Sequence, residues 1–224
     1  MEQPIGVEPS APKRSRRAGR LSSGSAIREA AAALFLERGY LGTSMDDVAA
    51  AAQVSKQTIY THFANKEELL ADLVLGNAER VEEFVTTMAR AVDDAPDLES
   101  GIRQLARLYI RQVATAEVLR LRRLVLGEVG RFPVLARTYY ERVPGRVLAA
   151  LASLFTELAA QGKLRVDDPS LAAQHFAWLT LGVPLDRGMF YPIEETIRDV
   201  DLDRTADAAA RVFLAAYSSP TPPH

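Results

Sequence analysis

Apolar residues recur at helical spacing along most of the chain, and the first clear run begins near Ser25. Ile27, Ala31 and Leu34 are separated by three or four residues and share one side of a helix. Gly39 follows the last turn, where a left-handed cap favours a residue without Cβ. The pattern predicts a first helix over residues 25–38.

Two short helices are predicted next, each beginning at a hydroxyl residue. Ser44 can cap the first of them, and Ser55 can cap the second after a break at residues 53–54. Ile59 and Phe63 are four residues apart, which places both on the inner face of the second helix. Polar side chains occupy its other face.

The remaining chain also has helical periodicity, interrupted at residues 94–97 and least regular over 184–200. Alanine and leucine are abundant and β-branched residues are sparse, which favours helix over strand. The pattern therefore predicts an all-α fold. After the first three helices, the chain is predicted to form a helix over 66–92 and a further one beyond the break at 94–97. The predicted helices after these are 117–129, 132–142, 144–161, 169–183 and 203–217.

Both ends of the chain lack this periodicity. Residues 1–24 contain proline, serine and glycine with the basic residues Lys13, Arg14, Arg16, Arg17 and Arg20. They are predicted to form a disordered arm, which is either a solvated tail or a contact for DNA phosphates or the minor groove. Residues 218–224 include three prolines and are predicted to be a disordered tail.

Composition and charge narrow the class of protein. The chain has 224 residues, 48% hydrophobic and 25% charged, which fits a soluble globular protein. It contains no cysteine, so disulfides and thiolate metal sites are excluded. No signal peptide or membrane span is predicted, and we expect a cytoplasmic protein without a membrane partner. Residues 1–66 carry nine Lys/Arg against six Asp/Glu, a net charge of +3 within a chain of net charge −2, which suits contact with a polyanion at one end.

The two short helices match the requirements of a helix-turn-helix. Ala49 is small enough for close crossing of the helices, and Val54 supplies a buried aliphatic residue after the turn. The outer face of the second helix carries many hydrogen-bonding groups that a small three-helix domain cannot satisfy. The major groove of DNA would supply their partners.

Residues 27–70 resemble the DNA-binding domain of TetR-family repressors. The residues that carry the resemblance are Leu34-Phe35, Gly39-Tyr40, Thr43-Ser44-Met45, Asp47-Val48-Ala49, Val54-Ser55-Lys56, Thr58-Ile59-Tyr60, His62-Phe63 and Asn65-Lys66-Glu67-Glu68-Leu69. Gln53 departs from the glycine frequent in the family, and we expect it to add turn strain of about 1 kcal/mol. Gln57, also often glycine, adds a side chain able to bind adenine.

The resemblance implies a role for each residue of the predicted DNA contact. Phosphates would be held at the start of the first of the two short helices by Thr43 and Ser44. Further phosphate contacts would come from Lys56, Tyr60, His62 and Lys66. Base edges would be contacted by Gln57, Thr58 and Thr61. Alternatively, the Tyr60 ring braces the first helix and His62 is a core residue.

The sequence from Arg122 through residues 130–133 to 165–169 resembles the AefR-like C-terminal domain of a subset of the family. The resemblance implies a DNA-binding domain over 25–66 and a helical ligand-binding and dimerisation domain over 67–217. It also implies a homodimer on a palindromic operator, with release by a small molecule of unknown identity. Small residues such as Ala172 and Ala173 would either pack between subunits or close the monomer core. The candidate pocket residues, for each of which core packing is the alternative, are Tyr109, Phe132, Tyr139, Phe155, His175, Phe176, Trp178, Met189 and Phe190.

Two other classes of function are alternatives to a sequence-specific regulator. An enzyme is disfavoured because HExxH, GxSxG, GxGxxG and P-loop motifs are absent and the three histidines lack metal-ligand spacing. We therefore predict neither a catalytic residue nor a metal or cofactor. A nonspecific DNA binder using the basic arm would instead show steep salt dependence and little sequence preference.

Overall fold

The computed structural model describes residues 14–76 and 78–219, and this part of the chain is organised in α-helices. The prediction of an all-α fold is confirmed. The helices are α1 Arg14–Arg38, α2 Met45–Ala51, α3 Lys56–His62, α4 Lys66–Leu75, α5 Ala78–Asp93, α6 Leu98–Val113, α7 Ala116–Gly127, α8 Pro133–Arg142, α9 Pro144–Ala160, α10 Pro169–Phe190, α11 Ile193–Asp199 and α12 Leu202–Tyr217.

The chain divides into two compact units, the first ending at Leu73 and the second beginning at Val74, within α4. In the first unit α1, α2 and α3 pack together around Ile27, Phe35 and Ile59, each at most 1% exposed. Ile27 and Ile59 are among the side chains that the apolar periodicity placed inside.

The second unit has an aromatic core. The Phe155 and Phe213 ring centroids lie 4.7 Å apart, and Phe176 meets Phe213 edge to face at 5.2 Å. α9 packs on α10, α10 on α12, and α12 on α6, so the three rings join helices that are distant in sequence. The stretch Pro133–Ala160 is long and apolar enough to span a membrane by length and composition alone, but it comprises two helices, and the inner face of α9 packs into this core.

Helix α1 begins earlier than predicted, at Arg14 rather than residue 25. The prediction of a disordered arm is therefore wrong for residues 14–24, and residues 1–13 lie outside the described residues. No proline follows Pro12 before the end of α1, and arginine, alanine and leucine all favour helix. Extending a helix that tertiary packing has already nucleated costs little per residue.

Two other helix predictions are wrong. The predicted helix 66–92 is interrupted by a turn at Gly76, the residue type that most weakens a helix apart from proline. Conversely, α10 continues through Pro184 to Phe190, and α11 occupies much of the segment predicted to be irregular. An internal proline costs about 3 kcal/mol, whereas burying Leu181 and Leu185 on either side contributes about 1.5–3 kcal/mol each.

The start of the predicted disordered tail is held in place. Leu164 and Ser218 form an isolated antiparallel bridge, and the Ser219 amide donates to the Lys163 carbonyl at 3.3 Å. The prediction is wrong for Ser218 and Ser219, because backbone partners outside α12 fix them. Residues 220–224 lie outside the described residues.

Gln53, in the turn between α2 and α3, has φ +55° and is the one non-glycine residue with positive φ in the described ranges 14–76 and 78–219. The predicted turn strain is consistent with this conformation, which disfavours residues that carry a Cβ. The Val54 amide donates to the Ala49 carbonyl at 3.0 Å, and this bond closes the turn.

Replacing Gln53 with glycine should raise the free energy of unfolding of the first unit by up to about 1 kcal/mol, because glycine adopts positive φ without strain. Chemical denaturation measures the change. Glu29→Gly, on the exposed side of α1, is the control and should lower stability by about 1 kcal/mol. Equal losses in the two variants would show that the turn is unstrained.

Candidate DNA-binding surface

Side-chain caps fix the starts of α2 and α3. The Ser44 hydroxyl accepts from the Asp47 amide, while the Asp47 carboxylate accepts from the Ser44 amide at 2.9 Å, which completes a capping box. The hydroxyl and amide of Ser44 donate to this carboxylate and lower the pKa of Asp47. Ser55 caps α3 by accepting from the Thr58 amide at 3.0 Å. The predicted caps are confirmed.

Helix α3 has one buried and one exposed face. Ile59 is fully buried and Phe63 is 4% exposed, so these side chains anchor the helix to the first unit. Gln57 and Thr61 are exposed on the other side, as is Tyr60, 45% exposed. The Thr61 hydroxyl donates to the backbone carbonyl of Gln57. No hydrogen bond to the side-chain amide of Gln57 is found within the described ranges. This face therefore presents polar groups to an external partner.

Lys56 adds positive charge at the start of α3. Its ammonium lies 2.9 Å from the Asp46 carboxylate of α2, and this bond raises the pKa of Lys56. Both side chains are well exposed, so the pair is weak in water and can open to give a phosphate contact.

Three residues predicted to hold phosphates are used within the protein. Thr43 is 2% exposed and its hydroxyl donates to the Gly39 carbonyl, so the prediction is wrong for this side chain. The amide and hydroxyl of Ser44 both donate to Asp47, which leaves neither donor for a phosphate. The Lys66 ammonium donates to the carbonyls of Tyr40 and Thr43 at 2.8 and 2.7 Å and lies 4.1 Å from the Tyr40 ring centroid. Within the first unit, these carbonyls and this ring stabilise the charge of Lys66 at the helix start.

Thr58 and His62 are half-buried. The Thr58 hydroxyl bonds to Ser55 at 2.8 Å, and the His62 ring lies 3.4 Å from where a Cβ would stand at Gly24 of α1. His62 therefore packs at the edge of the domain. The structure places Lys56, Gln57, Tyr60 and Thr61 together on the exposed face, with Thr58 and His62 at its border.

A second candidate site is an apolar cavity in the second unit. It has a volume of about 130 Å³ and is walled by α6, α7, α8, α9 and α10. Tyr109, Tyr139 and Trp178, three of the residues suggested for a pocket by the sequence, line it. Their contact with a ligand stays a prediction. The other residues predicted to line a pocket do not reach it. Phe155 and Phe176 are buried in the aromatic core, His175 bonds to the Tyr217 hydroxyl at 2.7 Å, Phe132 is half-buried elsewhere, and Met189 and Phe190 are exposed.

Arg122 also lines this cavity and was not predicted as a pocket residue from the sequence. Val118 and Val125 lie four residues before it and three after it, and Val118 lines the same cavity while Val125 is buried. This helical spacing marks Arg122 as an inward-facing position on α7. The spacing of Arg122 from these two valines is the sequence feature that could have identified it as a pocket residue.

Comparisons with known proteins agree with this architecture. The model for bacterial regulatory proteins of the tetR family matches residues 27–73, and the model for the AefR-like transcriptional repressor C-terminal domain matches residues 100–219. A TetR-family transcriptional regulator from Mesorhizobium loti is 37% identical with a TM-score of 0.77, and the alignment covers 89% of this chain and 98% of that one. The flavonoid-responsive regulator FrrA is 31% identical with a TM-score of 0.65, over 89% and 98% of the two chains.

A curated relative is also similar to this chain in sequence. YhgD of Bacillus subtilis, an uncharacterized HTH-type transcriptional regulator, is 28% identical over 71% of this chain and 80% of its own length. The matched families and relatives are regulators of transcription rather than enzymes. With an N-terminal helix-turn-helix and an AefR-like C-terminal domain, this chain belongs to the TetR family of DNA-binding transcriptional regulators.

Proposed function

We propose that the protein is a cytoplasmic, homodimeric repressor that binds a palindromic operator and is released from it by a small molecule. The observation that carries the proposal is the exposed polar face of α3, opposite the buried Ile59 and Phe63. On this face Gln57 and Thr61 contact base edges, while Lys56 and Tyr60 contact phosphates.

The surface of the second unit supports a dimer. Helices α10 and α12 pack on each other, and both expose large apolar side chains, including Trp178 at 63%, Val183 at 58% and Val212 at 53%. Monomeric proteins seldom leave such patches open to water. Ala172 and Ala173 lie instead in the monomer core, at no more than 1% exposed, so the proposed contact uses the larger side chains. A two-fold dimer would place two α3 helices roughly 34 Å apart, one turn of DNA.

The cavity supports control by a ligand. It is bounded largely by apolar side chains, and the name of the relative FrrA describes a response to flavonoids. Trp178 lines the cavity and is also an exposed apolar side chain of α10, as is Val183, so a bound molecule would act on the proposed dimer contact. The ligand can lower operator affinity only by the difference between its affinities for the two conformations, typically about 1–3 kcal/mol.

Quantitative binding to DNA tests the proposal. The purified protein should bind a site in its own promoter about a thousandfold or more tightly than scrambled DNA of equal length. Equal affinities with a steep dependence on salt would identify a nonspecific binder and overturn the repressor proposal.

Replacing Gln57 with alanine should weaken binding to the promoter site by about 1–3 kcal/mol, because its amide hydrogen bonds to a base are lost. Affinity for scrambled DNA should hardly change. Fluorescence anisotropy with both DNAs measures the two affinities. Gln104→Ala, at an exposed position on α6, is the control. A uniform loss on both DNAs would assign Gln57 to the phosphate backbone.

A further inference from the structure

The cavity in the second unit contains a charged group without a partner. Arg122 is the one charged residue among the described residues that line it. Its Nε atom is buried and lacks a hydrogen-bond partner, and Arg122 takes part in none of the ion pairs found over 14–76 and 78–219.

Three other arginines, two on α7 and one on α10, each have an interaction partner. Arg120 pairs with Glu194, and Arg123 donates to the backbone carbonyls of Gly188 and Tyr191. Arg187, whose Nε is also buried without a partner, still has Asp199 at 3.4 Å from its terminal nitrogen and stacks over the Tyr191 ring. Arg122 alone of these four combines an unsatisfied Nε with a position on the cavity wall.

Two tyrosines of the cavity, Tyr109 and Tyr139, do not neutralise Arg122. Burial raises the pKa of both Tyr109 and Tyr139, and the nearby Arg122 opposes this rise. Both hydroxyls therefore stay protonated at neutral pH and bring no negative charge. Arg122 is half-buried, but its Nε–H is buried and unsatisfied, which is costly unless an acceptor arrives from outside.

We propose that the cavity binds a small aromatic carboxylate whose carboxyl group pairs with Arg122 and whose ring lies among the apolar side chains. A guanidinium presents Nε and a terminal nitrogen side by side, which matches the two oxygens of a carboxylate. The volume of about 130 Å³ is close to that of cavities that admit one benzene ring. This inference names the ligand class for the site in the proposed function and rests on that function only for its consequence at DNA.

Titration of the full-length protein with benzoate and phenylacetate, each against its neutral amide, tests the inference. Trp178 is the chain's single tryptophan and lines the cavity, so its fluorescence reports binding at this site without DNA. Each acid should bind at least about tenfold more tightly than its amide, the worth of one charge-assisted hydrogen bond. Equal affinities, or no binding by any of the four compounds, would overturn the inference.

Arg122→Met should weaken binding of the acids at least about tenfold and leave the amides within about twofold. Arg122→Gln provides a second variant if the methionine protein fails to fold by circular dichroism, and it too should lose the preference for acids. Arg120→Met, on the same helix, is the matched control and should bind the acids as the wild type does. An acid preference that survives in Arg122→Met or Arg122→Gln would contradict the assignment.

The failure of this inference differs from that of the proposed function. If acids bind with dependence on Arg122 but leave the promoter complex intact, the ligand class stands and release by this ligand fails. If only neutral compounds release the promoter DNA, ligand control stands and the carboxylate inference fails.

Discussion

Replacing Phe155 with alanine is expected to lower the free energy of unfolding by about 3–5 kcal/mol, the usual cost of emptying a buried phenylalanine site. Phe155 is fully buried, and its ring centroid lies 4.7 Å from that of Phe213 and 5.6 Å from that of Phe176. Removing it would leave two other rings beside a void. Denaturant titration followed by circular dichroism measures the loss, at one fixed protein concentration because a dimer would make stability depend on concentration.

The control for Phe155→Ala is Val134→Ala, on α8, where the side chain is 78% exposed. Its effect should stay within about 0.5 kcal/mol. This comparison separates the core from the cavity, because the sequence alone suggested Phe155 as a pocket residue. A stability loss below about 1 kcal/mol together with lost ligand binding would show that Phe155 is a pocket residue rather than a core residue.

Replacing Val183 with glutamate should convert the proposed dimer into a monomer and weaken binding to the promoter site by about a hundredfold or more. Val183 is 58% exposed among the apolar side chains of α10 and α12, and a charge there would be desolvated in a dimer contact. Two separate subunits would also lose the gain of about 10²–10⁴ that comes from binding both half-sites together. Analytical ultracentrifugation and DNA titration measure the two effects.

Val134→Glu places the same charge at an exposed apolar position on α8, outside α10 and α12. It should remain dimeric and bind DNA normally. If Val183→Glu also remains dimeric, the subunits associate through another surface.

The helix-turn-helix was predictable because its determinants are local. Ser44 and Ser55 cap helices through atoms three residues away, and Ile59 and Phe63 share a face through helical spacing alone. The chain therefore specifies the exposed set on α3 within a few turns of backbone.

The unpredicted features depend on partners distant in sequence. Lys66 bonds to carbonyls more than twenty residues earlier, and no pattern around Lys66 indicates them. Aromatic composition likewise cannot divide core from cavity, because Phe176 and Tyr109 are both buried and stack at 6.5 Å, yet only Tyr109 reaches the cavity. That division is set by how α6 and α10 pack.

Pro184 makes α10 mechanically uneven. Proline has no N–H to donate, so the helix lacks one bond of its ladder between residues 180 and 184 and bends there at lower cost than elsewhere. Leu181 and Leu185, on either side of the proline, both line the cavity. A molecule filling the cavity would thus press on α10 at its most compliant point, where a small push gives the largest angular change along the helix.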